Sequence, residues 1–487
     1  MARPHLLDAL RDRVLLCDGG MGSRVQAMAL EVERDYWGKE NCTEVLNLSR
    51  PDIVRDIHRG YYEAGADMVL TNSFGGSPVT LAEFELEERA FEINKLSVEL
   101  AREAAAQAAE TDRSGAYPWP MVRRMAEAGF TGLTVPRAWG GPGGDYFDAA
   151  LVIEEFSKAC AVCGRIAVEA NMGAIGAIMA YGTDAQKRIA ADLVLAGDKP
   201  AILITEPEAG SAATEMTTRA VRHGDTWVIN GRKTWITGGG VSRLHLIFAR
   251  VIEDGRDQGI GGFLVARQGD GPPPGISFKR IPSLGLCGMP EAETEIAGLE
   301  VPDSMVLRPP GGWARGFGRL IDAYNGQRVG AATVALGLAA GAYEHALDRA
   351  QTRRQFGRPI GEFQGLAWML ADMSIEVEAA RALVWRAAKS AGPNGFPDRL
   401  AAAQAKVLAG EMAIRVTNQA LQVWGAAGYS RDNPMERYLR DARMFAIAGG
   451  TAQVLRTQVA EQIMGRKLPQ TRDGFLRIME EERRAAE

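Results

Sequence analysis

Residues 313–465 carry long amphipathic runs, among them AATVALGLAAGAYEHALDRAQTRRQF and AWMLADMSIEVEAARALVWRAAKSAG. Helices of that length can bury an apolar face only against one another. Upstream, residues 201–308 hold short β patterns such as WVINGRKTWITG and RLHLIFARV, divided by Gly, Pro and Asp turns. Residues 119–196 are Ala-rich and helical, with a Gly/Pro loop from Gly140 to Gly144. The order helices, β domain, helices predicts an α+β multidomain chain.

The rhythm changes again near residues 95–116. Before them, VLLCDGGMGS reads as a buried strand ending in glycines. PDIVRDIHRGYYEAGADMVLTNSFGGS reads as an amphipathic helix, a strand from Asp67 to Asn72 and a glycine turn. That is the opening of a parallel α/β unit. The segment Leu81 to Ala109 then runs helical. Charged residues are 24% of the chain and the formal net charge is −5, so no basic face for nucleic acid is predicted. The start lacks a secretory h-region, and no run of about 18 apolar residues predicts a membrane span. The five cysteines are sparse and odd in number, which suggests a reducing cytoplasm. Cys160 and Cys163 form a C-x-x-C within a helical pattern and lack further ligands nearby, so they read as buried packing rather than zinc or redox chemistry.

The motifs DGGMGS (Asp18 to Ser23), ERDYWGKENCTEVLNLSRPDIVRDIHRGYYEAGADMV (Glu33 to Val69) and LTNSFGGS (Leu70 to Ser77) resemble the start of the homocysteine-binding barrel of cobalamin-dependent methionine synthases. The resemblance implies a pocket lined by Asp18, Thr71 and Asn72. It covers about the first hundred residues, whereas a (β/α)₈ barrel needs about 250. No adjacent Cys-Cys pair follows that could hold the zinc of that family. The segment therefore reads as a partial, TIM-barrel-derived α/β fragment, without the Lewis acid that thiol methylation requires.

AILITEPEAGSAATEMTTRA (Ala201 to Ala220), GRKTWITGGG (Gly231 to Gly240), TRRQFGRPIGEFQ (Thr352 to Gln364) and LQVWGAAGYSRDNPMERYLRDARMFAIAGGTAQ (Leu421 to Gln453) resemble acyl-CoA dehydrogenases. The resemblance implies N-terminal helices, a middle β domain and a C-terminal four-helix bundle, assembled as a homotetramer around FAD. It places Thr205 at the pyrimidine side of the flavin, Trp235 against the ring and Thr237 at its N5 edge. Gly210 and Ser211 form a turn whose amides approach phosphate or acyl-CoA. Arg353 and Phe356 reach the FAD of a neighbouring subunit, as do Gln422, Gly425 and Ala426, the last standing where a second glycine is usual. Thr451 and Gln453 close over the adenosine, and Ser211, Arg328 and Gly449 line the acyl-CoA site. The first stretch of the dehydrogenase reads as lost, the junction lying inside its first helix.

A dehydrogenase needs a carboxylate to take the α-proton. The two positions where the family keeps that Glu are both vacant: Gly449 occupies one, in AGGT, and Gln327 the other, in YNGQRVG. An amide cannot accept the proton. The stretches GRIAVEANMGAIGAI, DLVLAGDKPAILITEPEAGSAATEMTTRA, YNGQRVGA and KLPQTRDGF resemble the desulfinase branch of this superfamily, which releases sulfite from 3-sulfinopropionyl-CoA with FAD bound and no net redox change. That likeness puts the catalytic pair on Arg165 and Gln327. A guanidinium suits a sulfinate anion, which it can bind through two oxygens. The bland reading of Arg165, in an apolar stretch, is a buried ion pair with Glu169 one turn on.

These readings divide the chain into a methyltransferase-like fragment (1–98), an N-terminal helical domain (99–200), a middle β domain (201–310), a helical bundle (311–475) and a charged tail (476–487). A desulfinase in the cytoplasm is the leading expectation. A dehydrogenase with a base elsewhere, an inactive fusion and a homocysteine methyltransferase stay open beside it.

Overall fold

The computed structural model describes Leu30 and residues 107–486, apart from 268, 270, 392–394 and 469–471. The methyltransferase-like fragment, with Asp18, Thr71 and Asn72, lies outside the described residues, Leu30 excepted.

Residues 107–114 are helical, and five short helices follow: α1 (Trp119–Glu127), α2 (Tyr146–Ala159), α3 (Ala161–Asn171), α4 (Ala174–Tyr181) and α5 (Asp184–Leu195). Local chemistry fixes their starts. Asp145 accepts from the amides of Phe147 and Asp148, while Asp148 returns a bond to the Asp145 amide. Thr183 and Gln186 make the same reciprocal cap for α5. The helical pattern through Cys160 is not continuous. Cys160 is extended (φ −152°, ψ 105°), ending α2 and opening α3. Both Cys160 and Cys163 are buried free thiols, as packing requires. The stretch Ala161–Tyr181 is apolar and long enough to cross a bilayer, contrary to the sequence reading. It is interrupted between α3 and α4, and 89% of its apolar window is buried inside the protein.

The middle domain holds β1 (Ala201–Leu203), β2 (Arg219–His223), β3 (Thr226–Thr237), β4 (Leu244–Glu253), β5 (Arg256–Ala266), β6 (Ile276–Ile281), β7 (Glu291–Pro302) and β8 (Val306–Leu307). They form one eight-stranded sheet in the order β6-β7-β3-β2-β4-β5-β8, with β1 parallel to β4. β3 and β7 alternate buried and exposed residues along much of their length, the mark of a sheet with one covered face. Trp227, Phe263 and Val301 centre a core on that face.

The 41-residue α6 (Gly312–Thr352) is the axis of the C-terminal part. A small hairpin of β9 (Arg354–Gln355) and β10 (Arg358–Pro359) follows, then α7 (Gln364–Lys389) and α8 (Arg399–Trp424). The remaining helices are α9 (Ala426–Tyr429), α10 (Met435–Ala442), α11 (Ala452–Met464) and α12 (Arg472–Ala486). Alanine along the facing stripes of α6 and α8 lets the two approach closely: Ala335, Ala339, Ala342 and Ala346 are fully buried, as are Ala402, Ala409, Ala413 and Ala420. The N-terminal helices pack on this bundle. Glu154 of α2 accepts from Arg381 (2.8 Å) and Trp385 (3.2 Å) of α7, and Arg440 of α10 holds Asp112 at 2.6 Å.

Candidate active site

Every residue of α3 is buried, although the helix carries Arg165 and Glu169. At i,i+4 the two side chains share a face, and Arg165 Nη2 lies 2.6 Å from Glu169 Oε1. The ion pair of the bland reading is therefore present. It does not use up the site. Gln327 of α6 donates its Nε2 to the same Glu169 oxygen at 3.1 Å. Arg165 is 5% exposed and Gln327 4%, yet Arg165 Nε and Gln327 Oε1 have no hydrogen-bond partner among the described residues. A buried donor and a buried acceptor left open cost free energy unless something binds them.

Further charges converge from other elements. Lys199, just before β1, is 1% exposed, and its Nζ also lacks a hydrogen-bond partner among the described residues. Burial depresses its pKa, against Glu169 and Asp198. It runs under the WITGGG turn: a Cβ on Gly238 (φ +80°) would sit 1.9 Å from its ammonium, so that position demands glycine. Glu291, the first residue of β7, pairs in register with Thr237, and its Oε1 accepts the Thr237 hydroxyl at 2.8 Å. Burial pushes the Glu291 carboxyl up to about 7, against the pull of Arg165 and of the Thr237 bond. Lys406 of α8 donates to the Gly450 carbonyl at 2.6 Å, and burial, with Arg328 and Arg165 near, lowers it to about 7.

The two vacant base positions meet in space. Arg328, next to Gln327, reaches the Gly449 carbonyl at 3.4 Å and Asn325 Oδ1 at 2.8 Å. Gly449 is left-handed (φ +74°), and a Cβ there would point toward Lys406. A cavity of about 470 Å³ opens beside Arg328, lined also by Arg315, Arg319, Asn325 and Arg399. Four guanidiniums around one cavity suit a phosphorylated ligand.

The flavin-side residues sit on the sheet. The Thr205 carbonyl accepts from Thr234, which sets Thr205 beside Trp235. The loop after Thr205 is held by Glu206, which takes bonds from Thr217, Thr218 and, at 2.9 Å, Lys233. Trp235 lies at a bulge of β3 against β7, with φ +55°. The bulge turns the indole outward, where it is 56% exposed. An aromatic ring held outward by strained backbone is what a flat ligand needs as a wall. Gly210 and Ser211 form an exposed bend ahead of it.

A second group stands elsewhere. Arg353 and Phe356 follow the C-terminal end of α6, and Phe356 is 93% exposed. Gln422 and Gly425 end α8 and Ala426 opens α9, all three on the exposed surface. Trp424 donates to the His345 carbonyl of α6, so these two groups share one end of the bundle. Gln327 and Arg353 are 26 residues apart, hence about 39 Å along the helix axis. Thr451 returns to the first end, capping α11 by accepting from Val454, with Gln453 exposed behind it.

Comparison with known proteins identifies the domains that carry these residues. Residues 201–298 match the acyl-CoA dehydrogenase middle domain and residues 314–464 its C-terminal domain. A 3-sulfinopropanoyl-CoA desulfinase of Variovorax paradoxus is 59% identical over 401 residues, 82% of this chain and 98% of that protein. The chain belongs to the acyl-CoA dehydrogenase family. Butyryl-CoA dehydrogenase from Megasphaera elsdenii superposes with a TM-score of 0.70 at 31% identity, over 75% of this chain and 94% of that one. A glutaryl-CoA dehydrogenase from Mycobacterium smegmatis, solved in complex with FADH2, shares the fold at TM-score 0.67 and 22% identity, over 75% and 95%. The homocysteine S-methyltransferase family matches residues 15–195. From residue 119 on, that stretch is the set of helices α1 to α5 that the dehydrogenase domains use as their own N-terminal layer. The 401-residue match is longer than the chain from residue 99 to its end, so the likeness to the desulfinase begins upstream of residue 99 and little of that protein's length is missing.

Sequence reasoning missed Glu291, Lys199 and Lys406, and met Glu169 only as a competitor for Arg165. The available signal was a charged residue inside an apolar string: Lys199 before AILIT, Lys406 within AAAQAKVLAG and Glu291 within GMPEAETEI.

Proposed function

We propose that this chain is a desulfinase that hydrolyses 3-sulfinopropionyl-CoA to propionyl-CoA and sulfite, with FAD bound and no net redox change. The observation that carries the reading is the buried pair Arg165 and Gln327. Both are anchored on Glu169, and each keeps an open polar atom. The 59% identical relative named for that activity supports it. In this reading Arg165 binds the sulfinate, Gln327 orients the substrate or the attacking water, and the empty base positions protect the saturated product from oxidation. The arginine-lined cavity by Arg328 takes the phosphates of the CoA, with Ser211 and Gly449 along the acyl-CoA path.

Thr205, Gly210, Trp235 and Thr237 would hold the flavin end of FAD. Thr451 and Gln453 would close over the adenosine. Arg353, Phe356, Gln422, Gly425 and Ala426 stand too far along the bundle to reach the same cofactor molecule, so they would serve FAD in a second copy, within a homotetramer. Bound FAD supplies a planar electron-accepting ring beside the acyl chain. The domain limits from residue 201 onward, a cytoplasmic location and the absence of nucleic-acid and membrane partners belong to the same proposal, whereas the boundary at residue 99 gives way to a likeness that starts upstream of it. Sulfite release from 3-sulfinopropionyl-CoA by the yellow, purified protein tests it. Folded flavoprotein that releases none overturns it, and reduction of a dye by butyryl-CoA would favour a dehydrogenase in its place.

A further inference from the structure

A carboxyl group shares this site without occupying either position where the family keeps its base. Glu291 comes from the start of β7, and its electrostatic neighbours are Arg165, Lys199 and Glu169. Tyr324, one turn before Gln327 on α6, feels the charges of Arg165, Glu169, Arg328 and Glu291, and Gly238, next to Thr237, lies against the Lys199 ammonium. Thr237, the residue that the family likeness sets at the flavin N5 edge, donates to Glu291 Oε1 and thereby anchors that carboxyl oxygen. Oε2 accepts no hydrogen bond among the described residues and is free to carry a proton.

We propose that Glu291 is the acid–base residue of the reaction, protonating the carbon from which sulfur departs. This rests on the desulfinase reading. The water oxygen bonds to the sulfinate sulfur, and the C–S bond breaks with its electron pair going to carbon. Carbon takes the proton of the Glu291 carboxylic acid, and the resulting carboxylate takes a proton from the attacking water. The products are a C–H bond and hydrogen sulfite, and Glu291 ends as it began. Carbon is reduced and sulfur oxidised within one substrate, so no outside oxidant is needed. Arg165, in contact with the sulfinate, holds the leaving sulfur, and Gln327 can accept from the water through its open Oε1.

Electrostatics suits the task. The groups facing Glu291 are Arg165 and Glu169 from α3, Lys199 before β1, Thr237 from β3 and Tyr324 from α6. Burial nonetheless raises the carboxyl to about 7, so the acid is populated at neutral pH. The acid form starts the reaction, so turnover is present below about 7 and declines as pH rises through it.

The test compares wild-type holoprotein with Glu291→Gln and Glu291→Asp. Sulfite release is followed against pH, alongside flavin absorbance, thermal midpoint and the infrared carbonyl stretch of a protonated carboxyl. Glu291→Gln is expected to lower kcat by about 10²–10⁴-fold, with KM nearly unchanged and flavin retained. The alkaline limb of the pH profile and the infrared band should disappear. Wild-type kcat and an unchanged pH profile in that variant overturn the proposal while leaving the desulfinase reading intact. Should the Gln variant fail to fold, Glu291→Asp decides: a displaced alkaline limb supports the assignment and an unmoved one overturns it. Wild-type protein that releases no sulfite overturns the desulfinase reading and this proposal with it. Butyryl-CoA oxidation that vanishes in Glu291→Gln would instead make the residue a dehydrogenase base.

Discussion

Gln327 of α6 donates its amide to Glu169 of α3 across 158 positions of sequence, at 3.1 Å. The bond makes Glu169 a hub. One oxygen holds the arginine of its own helix and the amide of another, and so fixes the distance between the two groups assigned to substrate. It also explains why an amide stands there. A carboxylate at Gln327 would face a second carboxylate at hydrogen-bond range.

Arg165→Ala removes the cation from a carboxylate that is 1% exposed. Breaking a buried pair by deleting one partner costs about 3–5 kcal/mol. The denaturant midpoint should fall accordingly, and sulfite release should be lost. Arg165→Lys keeps the charge but not the planar fork. It should recover most of the stability and little of the turnover; full activity in the lysine variant would show that bidentate binding is not required.

Gln327→Glu sets two buried carboxyls against each other. The pair can share a bond only while one is protonated, so the folded-state pKa of the pair rises above the unfolded value near 4.3. A raised carboxyl pKa contributes stability below the unfolded value and loses it as pH rises through the folded one. The variant should therefore match wild type in mild acid and be weaker by about 1–3 kcal/mol at neutral pH. Urea unfolding at two pH values measures this, and equal losses at both would contradict it.

Trp235→Ala deletes an exposed side chain from a left-handed residue. Little packing is lost, so the thermal midpoint of flavin-free protein should move by no more than a degree or two. Flavin content per chain, read from visible absorbance, should drop severalfold. Normal flavin content would remove Trp235 from the cofactor wall.

The sequence announced the fold through its periods, since the β alternation around Trp227 and the long stripes of α6 and α8 follow from local pattern alone. Arg165 and Gln327 were legible because each is the wrong chemical type for its surroundings or for the family position. Glu169 and Glu291 were not, for a physical reason. Their roles depend on contacts between elements more than fifty residues apart, such as the bond from Thr237 to Glu291, which periodicity does not encode. The break at Cys160 was hidden too, since apolar and alanine residues continue through it and only the extended backbone there ends the helix.

The 41-residue α6 acts as a ruler. Its middle turns present Gln327 and Arg328 to one centre, and its far end delivers Arg353 and Phe356 to another. Each residue of an α-helix adds about 1.5 Å and turns the chain by about 100°. One residue inserted anywhere between those groups would swing one set by more than a quarter turn against the other. The spacing of this helix is thus under a stricter constraint than the identity of the alanines that fill it, and natural variation here should come as substitution, not as change of length.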